Sequence, residues 1–126
     1  MPIDGDAQYC YLTTTGRKSG DPRQIEIWFG LIGSTVYMLS GSGDDEHGPK
    51  AHWARNILKT PAVTVRIGDI TYPGRGRIVE RDTDEDAAAR ALVVPKYQPM
   101  SSNDLTNWGK TALVVAIDLS ESETRT

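Results

Sequence analysis

Three cations and a hydroxyl crowd the end of the segment 12–23, LTTTGRKSGDPR: Arg17, Lys18, Ser19 and Arg23. Guanidinium groups offer planar forks to a phosphate or carboxylate, an ammonium offers a compact point charge, and a serine hydroxyl adds a neutral donor. A chain gathers such a set within a few residues when it holds an anion. Gly16 closes the threonine run, and Gly20-Asp21-Pro22 is a turn signature, glycine being free to take positive φ while proline restricts its own. The four side chains therefore belong to the tip of one predicted hairpin. Residue types alone leave two readings level: an anion site, or a solvated charged turn.

The composition narrows what the anion could be. Against 14 Lys and Arg stand 17 Asp and Glu, a formal charge of −3, so the overall field repels nucleic acid and any anion site has to be local. Basic residues are not interleaved with aromatics along one stripe, which removes the usual platform for single-stranded nucleic acid. Cys10 is the only cysteine, excluding an internal disulfide and a thiolate metal cluster. His47 and His52 share no helical face and have no zinc-ligand pattern beside them, so no metal is expected. His52 is read as a surface histidine, with proton donation as the sharper alternative. No G-x-S-x-G elbow, phosphate loop, H-E-x-x-H or helix-opening G-x-G-x-x-G occurs. No apolar run approaches the roughly 20 residues of a membrane-spanning helix, and no signal peptide opens the chain. A cytoplasmic setting without a membrane span is the expectation.

The elements that must carry the cations follow from periodicity. A chain of 126 residues, 38% hydrophobic, implies one domain, with 1–8 and 121–126 as polar tails. Strand formers alternate over 9–15. Over 23–31, Ile25, Ile27, Phe29 and Leu31 share one face while Gln24, Glu26 and Trp28 share the other, predicting a single half-buried strand. A third strand over 36–40 completes an antiparallel meander. Segment 41–48, GSGDDEHG, is too polar to be an element, and Pro49 is a natural first residue for a helix. In it Trp53, Ala54, Ile57 and Leu58 recur at helical spacing up to Thr60, and Pro61 stops it. Strands are predicted over 62–67 and 70–80, the latter bulged or at an edge because of Pro73, Gly74 and Gly76. Thr83 and Asp86 frame a capping box for an alanine-rich helix running to Val94, 95–109 is read as loop, and 112–119 as a buried strand. Six strands and two short helices make a mainly β domain, a small barrel or strongly curled antiparallel sheet.

In order along the chain, LTTTGRKSGDPR, then YMLSG entering a loop that leads to HWARN, then ILKTPAVTVRIG resemble the successive signatures of the deazaflavin (F420)-dependent nitroreductases, also called the F420H2-dependent quinone reductase-like family. The likeness covers 9–79 and, more weakly, 111–118; its most specific parts are the hairpin and the W-x-x-N-[IL]-x-x-x-P-x-V-x-V block. It implies a six-stranded antiparallel split β-barrel of the flavin-reductase type, PNP-oxidase/FMN-binding-like, and a homodimer. The implied cofactor is coenzyme F420, a 5-deazaflavin carrying a phosphate and an oligoglutamyl tail. In that mapping Arg17, Lys18, Ser19 and Arg23 hold the phosphate and tail, and Gln24, Ile25 and Trp28 lie beside the ring. Leu39, Ser40, Gly41 and Ser42 serve the ring's pyrimidine edge, and Trp53, Ala54, Arg55 and Asn56 come from the helix over the cofactor. The implied reaction is hydride transfer from the reduced deazaflavin to a quinone, nitroaromatic or unsaturated carbonyl compound, needing no side-chain nucleophile. Blander readings stand beside these: Trp53 as packing, Asn56 as a helix-end residue bonding a carbonyl, Trp28 and Glu26 as pocket or dimer lining, and Tyr97 and Trp108 as packing.

Two departures from the family pattern bear on the cofactor. The loop after the third strand carries Asp44, Asp45 and Glu46 where the family is short and basic, which sets carboxylates against a polyanionic tail, with Lys50 as the local counterweight. Ala54 replaces a tyrosine, and Pro99-Met100-Ser101-Ser102 replaces a tyrosine-rich stretch, implying a different substrate range. FMN is therefore the alternative cofactor. A cofactor binder without turnover, and an interaction protein that kept only the fold, are the alternative classes. Met1 to Gln8 offers no match to the N-terminal extension that some members use at membranes, so membrane association through it is not expected.

Overall fold

The computed structural model describes residues 3–40, 44–45, 48–49, 51–102, 104–120 and 124–125. Gly41, Ser42, Glu46, His47 and Lys50 of the readings above lie outside the described residues.

Strands β1 (Cys10–Thr15) and β2 (Pro22–Ile27) form the expected hairpin, in register from Thr15 opposite Pro22 to Cys10 opposite Ile27. The long strand predicted over 23–31 is two strands. After Ile27 the chain leaves β2 and re-enters the sheet as β3 (Gly30–Ile32), which pairs with β4 (Thr35–Ser40). Two-residue strands β5 (Asp44–Asp45) and β6 (Gly48–Pro49) pair with each other. Helix α1 (His52–Lys59), strands β7 (Ala62–Ile67) and β8 (Ile70–Ile78), helices α2 (Asp84–Tyr97) and α3 (Thr106–Thr111), and strands β9 (Leu113–Leu119) and β10 (Thr124–Arg125) complete the chain. The main sheet is antiparallel in the order β2-β1-β7-β8-β9-β4-β3, with β10 added on β8.

This order corrects the meander and the count of six. The path holds seven strands, and β2 and β3, consecutive in the chain, occupy opposite ends of it. A sheet whose two ends are joined by the dipeptide Trp28-Phe29 has to curl into a barrel. The apolar alternation continues through the break, so periodicity alone does not reveal it: Ile25, Ile27, Phe29 and Leu31 all pack on the same interior cluster. What interrupts the strand is a distant side chain. Tyr97, fully buried, accepts the Phe29 N–H at 2.9 Å, and its own proton lies within reach of the Gln8 and Phe29 carbonyls at 2.7 and 3.1 Å. Lys96 Nζ donates to the Phe29 and Gly5 carbonyls at 2.9 and 3.0 Å. Backbone groups that a strand neighbour would satisfy are taken by α2 instead.

Two apolar clusters flank the sheet. The barrel interior packs Leu12, Phe29, Val36, Met38, Val65 and Ile117 against Ala54 and Ile57 of α1, which plugs one mouth. The outer face of β4 and β9 packs Leu39, Val114 and Ala116 against Ala89, Val93 and Tyr97 of α2. Each fully buried aliphatic or aromatic side chain contributes about 1.5–3 kcal/mol, so α1 and α2 are held by packing more than by propensity.

Three helix expectations need correction. Helix α1 starts at His52, since Pro49 belongs to β6. Helix α2 passes through Pro95 to Tyr97: proline deletes one N–H near the helix end, and the anchoring of Lys96 and Tyr97 outweighs that loss. Its capping is as expected, Thr83 Oγ1 accepting the Asp86 N–H at 3.2 Å. Segment 95–109 contains a 3₁₀ turn and the start of α3, which is too short to show a period. Asp104 Oδ1 opens α3 by accepting from Thr106 N–H and Oγ1 at 2.9 and 2.6 Å, and these bonds hold its carboxyl below the usual range.

Candidate functional site

The β1–β2 tip is shaped by its own backbone. Gly16 N–H donates to the Asp21 carbonyl and Gly20 N–H to the Gly16 carbonyl, both at 2.8 Å, with Gly20 at φ 77°. A Cβ at Gly16 would stand 2.8 Å from Ser19 Oγ, so only glycine lets the tip fold this tightly. Alternation along β1 turns Thr14 inward, where it is 2% exposed.

Helix α1 grips this tip through Asn56, itself only 4% exposed. Its Nδ2 donates to Thr14 Oγ1 at 3.1 Å, and its Oδ1 accepts Arg17 N–H at 3.2 Å and Arg17 Nη1 at 3.0 Å. Arg17 Nη1 also reaches the His52 carbonyl at 3.4 Å, and Nη2 lies 3.0 Å from His52 Nδ1. Arginine can only donate, so that imidazole nitrogen acts as the acceptor. Lys59 Nζ donates to the Arg17 carbonyl at 2.6 Å. Arg17 is thus engaged as a clamp between tip and helix.

The other tip groups keep spare donors. Lys18 has no hydrogen-bond or ion-pair partner among the described residues. Arg23 has one long contact, 3.5 Å to Ser19 Oγ. Ser19 Oγ accepts the Asp21 N–H at 3.2 Å and keeps its own proton to give. These three open onto a cavity of about 690 Å³ whose walls include Ile25, Trp53 and Asn56. Thr14, Gly16, Ala51 and His52 also line it, and none of these was singled out as a cofactor contact from the sequence. The one signal for Thr14 was its inward phase in the alternating threonines.

The remaining candidates are dispersed. Trp28 and Leu39 border a second cleft of about 290 Å³. Trp28 stacks on Tyr97 at 4.4 Å and meets Trp108 edge-on at 5.9 Å, so Tyr97 packs in the interior while Trp108 both packs on Trp28 and lines the second cleft. Gln24 is exposed on β2 opposite Thr13, Ala54 is fully buried in the core, and Arg55 is half-buried. Ser40 Oγ is buried without a hydrogen-bond partner among the described residues. Ser40 shares its strand face with Val36 and Met38, which point into the barrel. Ile25 borders the first cavity and Ile27 the second, about 7 Å apart along one strand face, so the two spaces adjoin along β2. Cys10 is not reactive machinery: burial pushes its thiol up to about 12.

A flat cofactor with a phosphate asks for cations with free donors at one end, apolar walls along its length and a polar atom inside. Lys18, Ser19 and Arg23, then Ile25 and Trp53, then the polar side chains of Thr14 and Asn56 in the same wall meet these demands. The residues fit such a group.

A family model described as F420H(2)-dependent quinone reductase matches residues 3–118. Among solved structures, the F420-H2 dependent reductase FDR-A is similar with TM-score 0.67 at 24% identity, over 87% of this chain and 93% of that one. HutZ, the heme storage protein from Vibrio cholerae, is similar with TM-score 0.70 at 15% identity, over 94% and 86%. A structure described as a domain-swapped dimer has TM-score 0.67 at 24% identity, over 87% and 79%. The curled sheet plugged by α1 is accordingly a split β-barrel of the PNP-oxidase type. With residues 3–118 matched, the chain belongs to the F420H(2)-dependent quinone reductase family and is an F420H2-dependent oxidoreductase. Among the described residues, no helix is long and apolar enough to cross a membrane.

Proposed function

We propose that the protein binds coenzyme F420 with the phosphate end on Lys18, Ser19 and Arg23, and reduces a small organic acceptor: a quinone, a nitroaromatic or an unsaturated carbonyl compound. The observation that carries this reading is the pair of cations, Lys18 and Arg23, left without a carboxylate partner among the described residues at the mouth of the 690 Å³ cavity. The reduced deazaflavin, when bound, supplies the hydride. The chain's own residues bind and orient. Lys18 and Arg23 neutralise the phosphate, each through a charge-assisted contact of roughly 1.5–3 kcal/mol. Arg17, Asn56 and Lys59 hold the tip so that this donor set is formed in advance. Ile25 and Trp53 wall out water beside the ring. Ser40 Oγ offers a hydrogen bond inside the barrel where charge develops. In this reading Arg17 contributes through the clamp, and Gly41 and Ser42 keep the ring-edge role that the family resemblance implies. A homodimer and a cytoplasmic setting belong to the same proposal, the first supported by the domain-swapped relative of like fold.

Titration with F420 and FMN, followed by intrinsic tryptophan fluorescence, tests the cofactor. Saturable F420 binding, together with loss of F420H2 absorbance only when protein and menadione are both present, is the expected result. FMN binding in place of F420 would overturn the cofactor assignment, and F420 binding with no oxidation by any of the three acceptor classes would overturn the acceptor assignment.

A further inference from the structure

The second cleft has a chemistry of its own. Tyr9, Trp28 and Trp108 wall it, Ile27 and Leu39 give it an apolar floor, and Glu26 sets a carboxylate at its border. Trp28 lies parallel to Tyr97 at 4.4 Å, which fixes the plane of its indole at the border of the cleft. Trp108 stands at 87° to Trp28, so the two indoles meet like adjacent walls of a box. Tyr9, 38% exposed, supplies a third ring. Aromatic faces carry negative quadrupole charge, and rings set at angles around a space attract a weakly hydrated cation.

Glu26 separates this from a merely greasy slot. It is exposed on the outer face of the edge strand β2 and, among the described residues, accepts the Tyr11 hydroxyl alone, at 3.1 Å. The neighbouring cations are occupied elsewhere. Arg66 lies over the Tyr11 ring at 4.2 Å and donates to the Gly68 carbonyl. Lys96 sits over the Phe29 ring at 3.9 Å, held by the Gly5 and Phe29 carbonyls. A neutral guest gains nothing from the Glu26 carboxylate at the border, whereas a cation pairs with it.

We propose that this cleft binds an organic cation, a protonated or quaternary amine, between Trp28, Trp108 and Tyr9 with Glu26 as counter-charge. The cation could be a substituent of the acceptor molecule or a separate amine; the recognition chemistry is the same. The site stands on residues other than the tip cations, and Trp28 and Leu39 in its wall set it beside the ring end of the proposed cofactor.

The test titrates the protein, without added cofactor, with choline and with its neutral carbon isostere dimethylbutanol, following tryptophan fluorescence. Choline should bind saturably and at least about fivefold more tightly than the isostere. Glu26→Gln should weaken choline by about fivefold, and Glu26→Lys should abolish binding. Glu26 is exposed, so both variants should keep the wild-type melting temperature. Equal binding of choline and isostere, saturable binding of neither, or unchanged affinity in Glu26→Gln would overturn the proposal. Kinetics with menadione distinguish the two sources. Competition by choline assigns the cation to the acceptor, and choline binding that leaves the menadione KM unchanged assigns it to a separate amine.

Discussion

Replacing Asn56 by leucine, nearly its equal in size, removes the clamp without opening a cavity. The Thr14 hydroxyl, 2% exposed, loses its donor, and the Arg17 N–H and Nη1 lose their shared acceptor at 3.2 and 3.0 Å. A neutral bond contributes about 0.5–1.5 kcal/mol net, one to a charged group about 1.5–3, and a stranded buried group costs about 1–3. Arg17 is only half-buried and regains water, so its part falls at the low end, giving a total of about 2–4 kcal/mol. Set against a stability of about 5–15 kcal/mol, this is a large fraction, and should lower the melting temperature by about 10 °C. The pairwise part is read from a cycle with Thr14→Val. Because Nδ2 and Oγ1 are bonded to each other at 3.1 Å, the double variant should be about 1 kcal/mol more stable than the sum of the two single changes allows. Calorimetry and urea denaturation give both quantities. An unchanged melting temperature for Asn56→Leu, or strict additivity in the cycle, would refute the clamp.

The clamp also divides the tip cations. Lys18→Ala should weaken F420 binding by about tenfold while leaving the melting temperature in place, whereas Arg17→Ala should lower the melting temperature; identical behaviour in titration calorimetry and thermal melts would contradict the division. Lys96→Met should cost about 1–3 kcal/mol, because the Gly5 and Phe29 carbonyls lose a donor, and the urea midpoint measures it. On the sheet's outer face, hydrogen bonds from Arg77 hold the Glu85 and Asp118 carboxyls below their ordinary range. Folded values below unfolded ones mean stabilisation present above the ordinary carboxylate range and lost as pH falls through the folded values. Arg77→Met should therefore flatten the acid limb of a melting temperature–pH profile, modestly, since the two carboxylate side chains are 34% and 48% exposed. An acid limb unaltered by the substitution would remove the network from the stability account.

Much of the frame was legible because it is local. The hairpin turn at Gly20-Asp21-Pro22, the α1 spacing from Trp53 to Ile57 and the Thr83 cap are each written within a few neighbours. The tip cations were legible as a group, yet their division was not: whether a guanidinium faces a cavity or folds back depends on Asn56, thirty-nine positions away. The strand break after Ile27 was hidden for the same kind of reason. Alternation runs unbroken from Ile25 to Leu31, and the groups that end the strand, Tyr97 Oη and Lys96 Nζ, arrive from the far end of α2. Asn56 was weighed as a helix-end residue; its burial and three bonds to the hairpin make it the hinge pin of the site. The acidic residues Asp44 and Asp45 fall in β5, opposite Pro49 and Gly48, a ladder that a glycine- and charge-rich sequence does not announce.

The place of β9 sets the order in which this barrel can be made. The last long strand in the chain, it lies between β8 and β4, so the two neighbours it joins wait for it with open hydrogen-bonding edges. A nascent chain arrested before Leu113 holds the run β2-β1-β7-β8 and the β3–β4 hairpin as two separate pieces, with the apolar strand β4 and the strand β8 each missing the neighbour between them. Closure is a late, long-range event, which makes folding slow relative to a helical domain of this size and leaves the unfinished chain sticky. The walls of the cofactor cavity all come from residues 14–56, yet the sheet that frames them closes only when residues 113–119 arrive.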